Sequence, residues 1–179
     1  MSYTSVKKIV LSALFLALAY VLPFFTGNIP HIGAMLLPMH LPVILCGFLC
    51  GGFWGALVGA AAPVMRSLLT GGFPPMFPTA VAMSFELATY GLVCGLVSRV
   101  LPRRPFCHWV SLVIGMVSGR VMWGIAMAIL TIHTNSFGMA AFVAGAFTNA
   151  IPGILLQLIA IPPIVYAVEK LENRSAMEV

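Results

Sequence analysis

A chain of 179 residues that is 61% apolar and only 7% charged, with a mean hydropathy of +1.07, has too little polar surface to cover a water-facing globule, whose charged share is about 25%. Its formal net charge of +5 is spread over the edges of apolar runs instead of forming a patch, which argues against nucleic-acid binding. Long apolar runs recur from end to end, so residues 1–179 read as a single polytopic membrane domain of the all-α class.

Six transmembrane helices are expected, at about 9–25, 39–50, 53–69, 79–101, 109–132 and 140–168. Lys7 and Lys8 precede the first run. Its Ala17-Leu18-Ala19 resembles a signal-peptidase site, but apolar character continues through Phe25, so the span is read as retained. The loop 26–38, TGNIPHIGAMLLP, is itself apolar at Met35, Leu36 and Leu37, and is expected to fold back over the bundle as a plug. The second run is short, with Pro38 and Pro42 at its start and a tight Gly51-Gly52 turn at its end. The loop 70–78, TGGFPPMFP, cannot be helical through its prolines and is expected to rim a site. Arg99, Arg103 and Arg104 mark the turn after the fourth run, and 133–139 forms the next loop. Pro152 and Pro162-Pro163 are expected to kink or tilt the long last run, after which come Lys170 and Arg174. The positive-inside rule puts these basic groups, and both termini, in the cytoplasm, and the loops 26–38, 70–78 and 133–139 outside.

Glycines at 47, 51, 55 and 59, then 91/95 and 115/119, repeat every four residues. Small residues at this spacing let helix backbones approach closely in lipid. Cys46, Cys50, Cys94 and Cys107 form no CxxC pair and have no histidine at zinc-ligand spacing. They read as small buried hydrophobes, and no metal site or cofactor is expected.

Charges inside the runs carry the functional signal, since each costs about 2.5–3.5 kcal/mol at a bilayer centre. Arg66 lies near the outer end of the third run, and Glu86 two turns down the fourth. Thr79, Met83, Glu86 and Tyr90 share one helical face. Asn149, next to Thr148, sits on the same side of the last run, so Arg66, Glu86, Asn149 and the plug loop with His31 and His40 converge on an outward-facing cavity. Arg120 lies deeper, with Trp123 and Met127 on its face, a combination suited to a planar or carboxylate-bearing ligand. The alternative is that Arg120 or Arg66 pairs with Glu86 and locks the bundle. His31, His40 and His133 are weighed first as loop or packing residues, and His108 belongs to a cytoplasmic turn.

The chain contains no GxxxxGK[ST], HExxH or GxSxG, and its runs hold no paired carboxylates. It is therefore read as a non-enzyme that binds a solute without energising its movement. A self-sufficient facilitator or secondary carrier is the competing reading. An intramembrane enzyme would have only Glu86 and the histidines to work with.

The run MLLPMHLPVILCGFLCGGFWGALVGAAAPVMRSLL, the later runs PTAVAMSFELATYGLVCGL and AGAFTNAIPGILLQLIAIP, and the Ala13-xxx-Ala17 pair resemble the substrate-binding S components of energy-coupling factor (ECF) vitamin transporters. The resemblance covers nearly the whole chain. It implies capture of a vitamin or related micronutrient at the outer face of a prokaryotic plasma membrane. Docking would follow on a transmembrane coupling (T) component with two ABC ATPases, through Ala13 and Ala17. The implied ligand contacts are Met35, His40, Arg66, Glu86, Tyr90, Trp123 and Asn149, with Arg120 added from its depth. The branch most resembled includes pantothenate-type components, and Arg66 would suit that carboxylate; pyridoxine-, niacin- and thiamin-like ligands stay open.

Overall fold

Gly and Pro punctuate the apolar runs, and a computed structural model describes residues 5–25, 36–102, 104–132, 138–146 and 150–175. Every regular element among them is helical. The order is α1 (Ser5–Phe25), α2 (His40–Cys50), α3 (Gly52–Leu69), a π-helical turn (Met76–Ala80) leading into α4 (Val81–Val100), α5 (Pro105–Leu130), α6 (Met139–Ala146) and α7 (Ile151–Ser175). Among the described residues, five helices are long and apolar enough to cross a membrane.

The expected second span is a different object. α2 has 11 residues and is about 16 Å long at 1.5 Å per residue, roughly half of a bilayer's ~30 Å hydrocarbon core. Nine of its residues are buried, so it is a core helix enclosed by its neighbours. Gly51, at φ 104°, ends α2 by donating its N–H to the Gly47 carbonyl and turns the chain directly into α3. The expected last span is described as two helices, α6 and α7. Pro152 falls in the first turn of α7, where its missing N–H has no helical partner to lose.

α2 and α4 stand at the centre and serve two cores. On one side Phe15 and Ala19 of α1 meet Val43, Cys46 and Leu49 of α2, Val58 and Ala62 of α3, and Leu87 of α4. On the other, Ile44 and Phe48 meet Tyr90 and Cys94, Leu112 and Met116 of α5, and Ile161 and Val165 of α7. The central helices touch backbone to backbone. A Cβ on Gly91 would overlap the Gly55 backbone, and one on Gly55 would overlap Gly47 and Gly91, the close approach that small residues permit.

α1 buries Ser12, Phe15, Ala19 and Pro23, a face repeating at helical spacing. Its other side carries Ala13 and Ala17, both exposed, among exposed Val10, Leu14 and Leu18. At the end of the bundle near Gly51, His108 Nε2 of α5 lies 3.1 Å from Glu169 Oε2 of α7, and the His108 ring meets Phe48 edge-on. All four cysteines are free, and Cys46, Cys50 and Cys94 are buried.

Candidate functional site

At the opposite end, between α1, α3, α4 and α5, lies a cavity of about 340 Å³. Pro23 of α1 closes one side. Leu37, Pro38, Met39 and His40, where the chain enters α2, close another, with Leu37 at φ 50° making the turn. Arg66 of α3 and Phe73, Pro74 and Pro75 of the following loop form a third wall. Thr79, Met83 and Glu86 line it from the π-helical turn and α4, Arg120 and Trp123 from α5, and Gly145 from α6.

The floor is built around one carboxylate oxygen. Arg120 Nη1 lies 2.8 Å from Glu86 Oε1, the Tyr90 hydroxyl donates to the same oxygen at 3.2 Å, and His40 Nε2 is 3.5 Å away. The His40 and Tyr90 rings pack edge to face, 5.3 Å between centroids. All four side chains are buried. Burial strengthens the attraction within such a charge pair and makes either partner expensive to leave alone. Glycine at 119 lets α5 lie against the Tyr90 ring, since a Cβ there would press on it.

Arg66 sits in the last turn of α3, buried, with its guanidinium carbon 5.8 Å from the ring centroids of both Phe24 and Phe73. Two aromatic faces on one guanidinium are a cation–π arrangement that water exclusion strengthens. The loop is tied to this turn. The Thr70 hydroxyl lies 2.6 Å from the Arg66 carbonyl oxygen and 2.5 Å from that of Phe73. The Thr70 N–H donates to the Arg66 carbonyl, and the Gly72 N–H to that of Ser67.

The structure thus brings His40, Arg66, Glu86, Arg120 and Trp123 to one cavity. Of the two pairings open in the sequence, Glu86 takes Arg120. Tyr90 lies beneath the lining and holds Glu86. Trp123 stacks on Phe142 of α6 at 25° between ring planes. Met35 and Asn149 lie outside the described residues, as do His31 and His133. Ala13 and Ala17 are on the exposed face of α1.

Sequence reasoning missed Pro23, Phe24, Gly145 and Gln157. Gln157 of α7 is 1% exposed, and both of its amide atoms lack a hydrogen-bond partner. The His108–Glu169 pair sets α5 and α7 antiparallel, and Arg120 and Gln157 each lie twelve positions from it. At equal rise per residue the two share a level, and Arg120 Nε and Nη2 are likewise buried without a partner. A glutamine within the apolar stretch from Ile151 to Ile161 was the available signal.

Among the described residues no group of three or more His, Cys, Asp or Glu could hold a metal ion. Residues 7–165 match the family model described as ECF transporter, substrate-specific component. No curated protein and no solved structure matches the chain.

Proposed function

The chain belongs to the family of ECF transporter substrate-specific components, and on that premise we propose that it captures a vitamin-sized micronutrient in the cavity over the Glu86–Arg120 pair. It then docks on a transmembrane coupling component, whose two ATPases drive release inward. The observation that carries this reading is the cavity itself. A space of about 340 Å³ falls within the size range of small-molecule sites, which are mostly apolar with a few convergent polar groups. Here those groups are Arg66, Glu86, Arg120 and His40, inside a bundle that has few other charges.

The chain crosses the plasma membrane of a prokaryotic cell six times, counting the short α2 and its lead-in as one pass, with both termini inside. Lys7, Lys8, Arg99, Arg104 and Lys170 support this direction, because they fall at the end away from the cavity or beyond it. Arg66, Glu86, Arg120, His40 and Trp123 meet the ligand, Tyr90 fixes Glu86, and Met35 and Asn149 complete the contacts from neighbouring segments. Ala13 and Ala17 form the docking face on α1, where small side chains among exposed apolar ones suit close helix contact. Pantothenate leads the ligands, ahead of pyridoxine-, niacin- and thiamin-like molecules.

The test has two arms. Purified chain incubated with a cell extract, washed and denatured should release a specific small molecule identifiable by mass spectrometry. Cells should take up that molecule only when the coupling component and both ATPases are present. Uptake that persists without the ATPases, or exchange by liposomes containing this chain alone, would overturn the docking step in favour of a self-sufficient carrier.

A further inference from the structure

We propose that Gln157 is a specificity residue of the site. With the free edge of Arg120 it takes a neutral group of the captured molecule that both accepts and donates a hydrogen bond, an alcohol or an amide. This rests on the capture reading above and adds to it the chemistry of the ligand's deepest end.

The two residues meet by register. α5 and α7 are antiparallel, and their contacts advance four residues at a time on each helix. His108 meets Glu169, and Leu112 and Met116 share one core with Val165 and Ile161. The next step outward is Arg120 on α5 and Gln157 on α7, at one level. Ile154 and Leu158, three residues before Gln157 and one after it, pack against the same core. Gln157 faces inward with them and is 1% exposed. An amide on a face otherwise made of isoleucine, leucine and valine adds nothing to that core and is costly to bury there unpaired.

The unmet polar atoms are complementary. Arg120 uses Nη1 on Glu86 at 2.8 Å, while its Nε and Nη2 are buried without a partner. Those two nitrogens present parallel N–H groups on one edge of the guanidinium and suit a single acceptor oxygen. Gln157 has a free acceptor, Oε1, and a free donor, Nε2, both buried. Buried polar groups are nearly always paired, and Arg120 belongs to the cavity lining. An alcohol oxygen or amide carbonyl can accept from the Arg120 edge while its own O–H or N–H donates to Gln157 Oε1. Glu86 already compensates the Arg120 charge, so the group needs none. A hydrocarbon leaves the whole set unmet, and an anionic group with no proton to give leaves Oε1 unmet. The Arg120 edge and the amide are closed to solvent. The ligand group therefore enters by parting the outer turns of α5 and α7, with the His108–Glu169 pair at the far end staying in place.

The experiment measures equilibrium binding to the purified full chain in detergent. Its probes are pantothenate, pyridoxine, nicotinamide and thiamin, together with the molecule that the chain retains from a cell extract. Each is paired with analogues in which one alcohol or amide at a time loses its proton donor, by deoxygenation or N-methylation. For whichever binds, Gln157→Leu is expected to weaken affinity about tenfold or more while the ligand-free melting temperature rises, a split that a purely structural glutamine would not give. One analogue should show the same loss in the wild type and lose nothing further in Gln157→Leu, which ties the lost hydrogen bond to that group. Equal affinity of wild type and Gln157→Leu, losses that add in full, or a tight ligand with no alcohol or amide would overturn the inference and leave capture intact. Should Gln157→Leu fail to fold, Gln157→Met takes its place, and a wild-type series in which every analogue matches its parent overturns the inference without a variant. If neither the probes nor any extract molecule binds, the capture reading fails and this inference with it.

Discussion

Arg120 reaches Glu86 across the interface between α5 and α4, and the Nη1–Oε1 distance of 2.8 Å makes theirs a direct, buried ion pair. Removing one partner strands the other charge in an apolar interior. Arg120→Gln is therefore expected to destabilise by about 3–5 kcal/mol, seen as a clear fall in melting temperature in detergent. The double substitution Glu86→Gln with Arg120→Gln should recover much of that loss, because neither charge is left alone. A double variant no more stable than the single one would show that the pair is not coupled.

Tyr90 offers a finer probe of the same cluster. Tyr90→Phe keeps the ring that packs on His40 and against Gly119 but removes the donor to Glu86. The expected loss is about 1.5–3 kcal/mol, the range for a hydrogen bond to a charged group. Chemical or thermal unfolding checks it; an unchanged midpoint would mean that the hydroxyl contributes nothing.

Gln157 should behave in the opposite way. Both amide atoms are buried without partners, a condition that costs about 1–3 kcal/mol. Gln157→Leu, similar in size and apolar, is expected to raise the melting temperature of the purified chain. A fall would mean that the amide is satisfied in solution by a group such as bound water.

The helix crossing at Gly55 and Gly91 leaves no room for a methyl group. Gly91→Ala places a Cβ against the Gly55 backbone, and backbone cannot yield as a side-chain tip does. A destabilisation of about 1–3 kcal/mol is expected for such overpacking, visible as reduced yield and melting temperature. Since α2 packs in the same crossing, the loss should extend to the cavity floor.

The proposed docking face separates binding from transport. Ala13→Leu with Ala17→Leu alters exposed positions on α1, so affinity for the co-purifying molecule should match wild type. ATP-dependent uptake of that molecule should fall about tenfold or more if close contact with the coupling component is lost. Normal uptake by the double variant would remove this face from the docking step.

The helical, membrane-spanning character was legible because it depends on composition and run length, which sequence states directly. The shared face of Thr79, Met83, Glu86 and Tyr90 was legible for a similar reason, since helical spacing alone determines it. The choice of Arg120 over Arg66 as the Glu86 partner was not. It depends on how α5 sits against α4, and Gly119 and Gly115 set that approach by what they lack. The length of α2 was equally hidden: an apolar run of eleven residues reads alike as part of a span or as a buried core helix. Gln157 escaped notice because an amide weighs little in hydropathy, and its isolation emerges only when α7 is packed.

The Thr70 hydroxyl, in reach of the carbonyls of both Arg66 and Phe73, joins the end of α3 to the wall of the cavity as one mechanical piece. A movement of the loop at Phe73 therefore breaks a contact anchored on the Arg66 backbone. A displacement of Phe73 would also take away one of the two aromatic faces beside the Arg66 guanidinium, so the shape of the cavity wall and the surroundings of its cation are tied to the same residue.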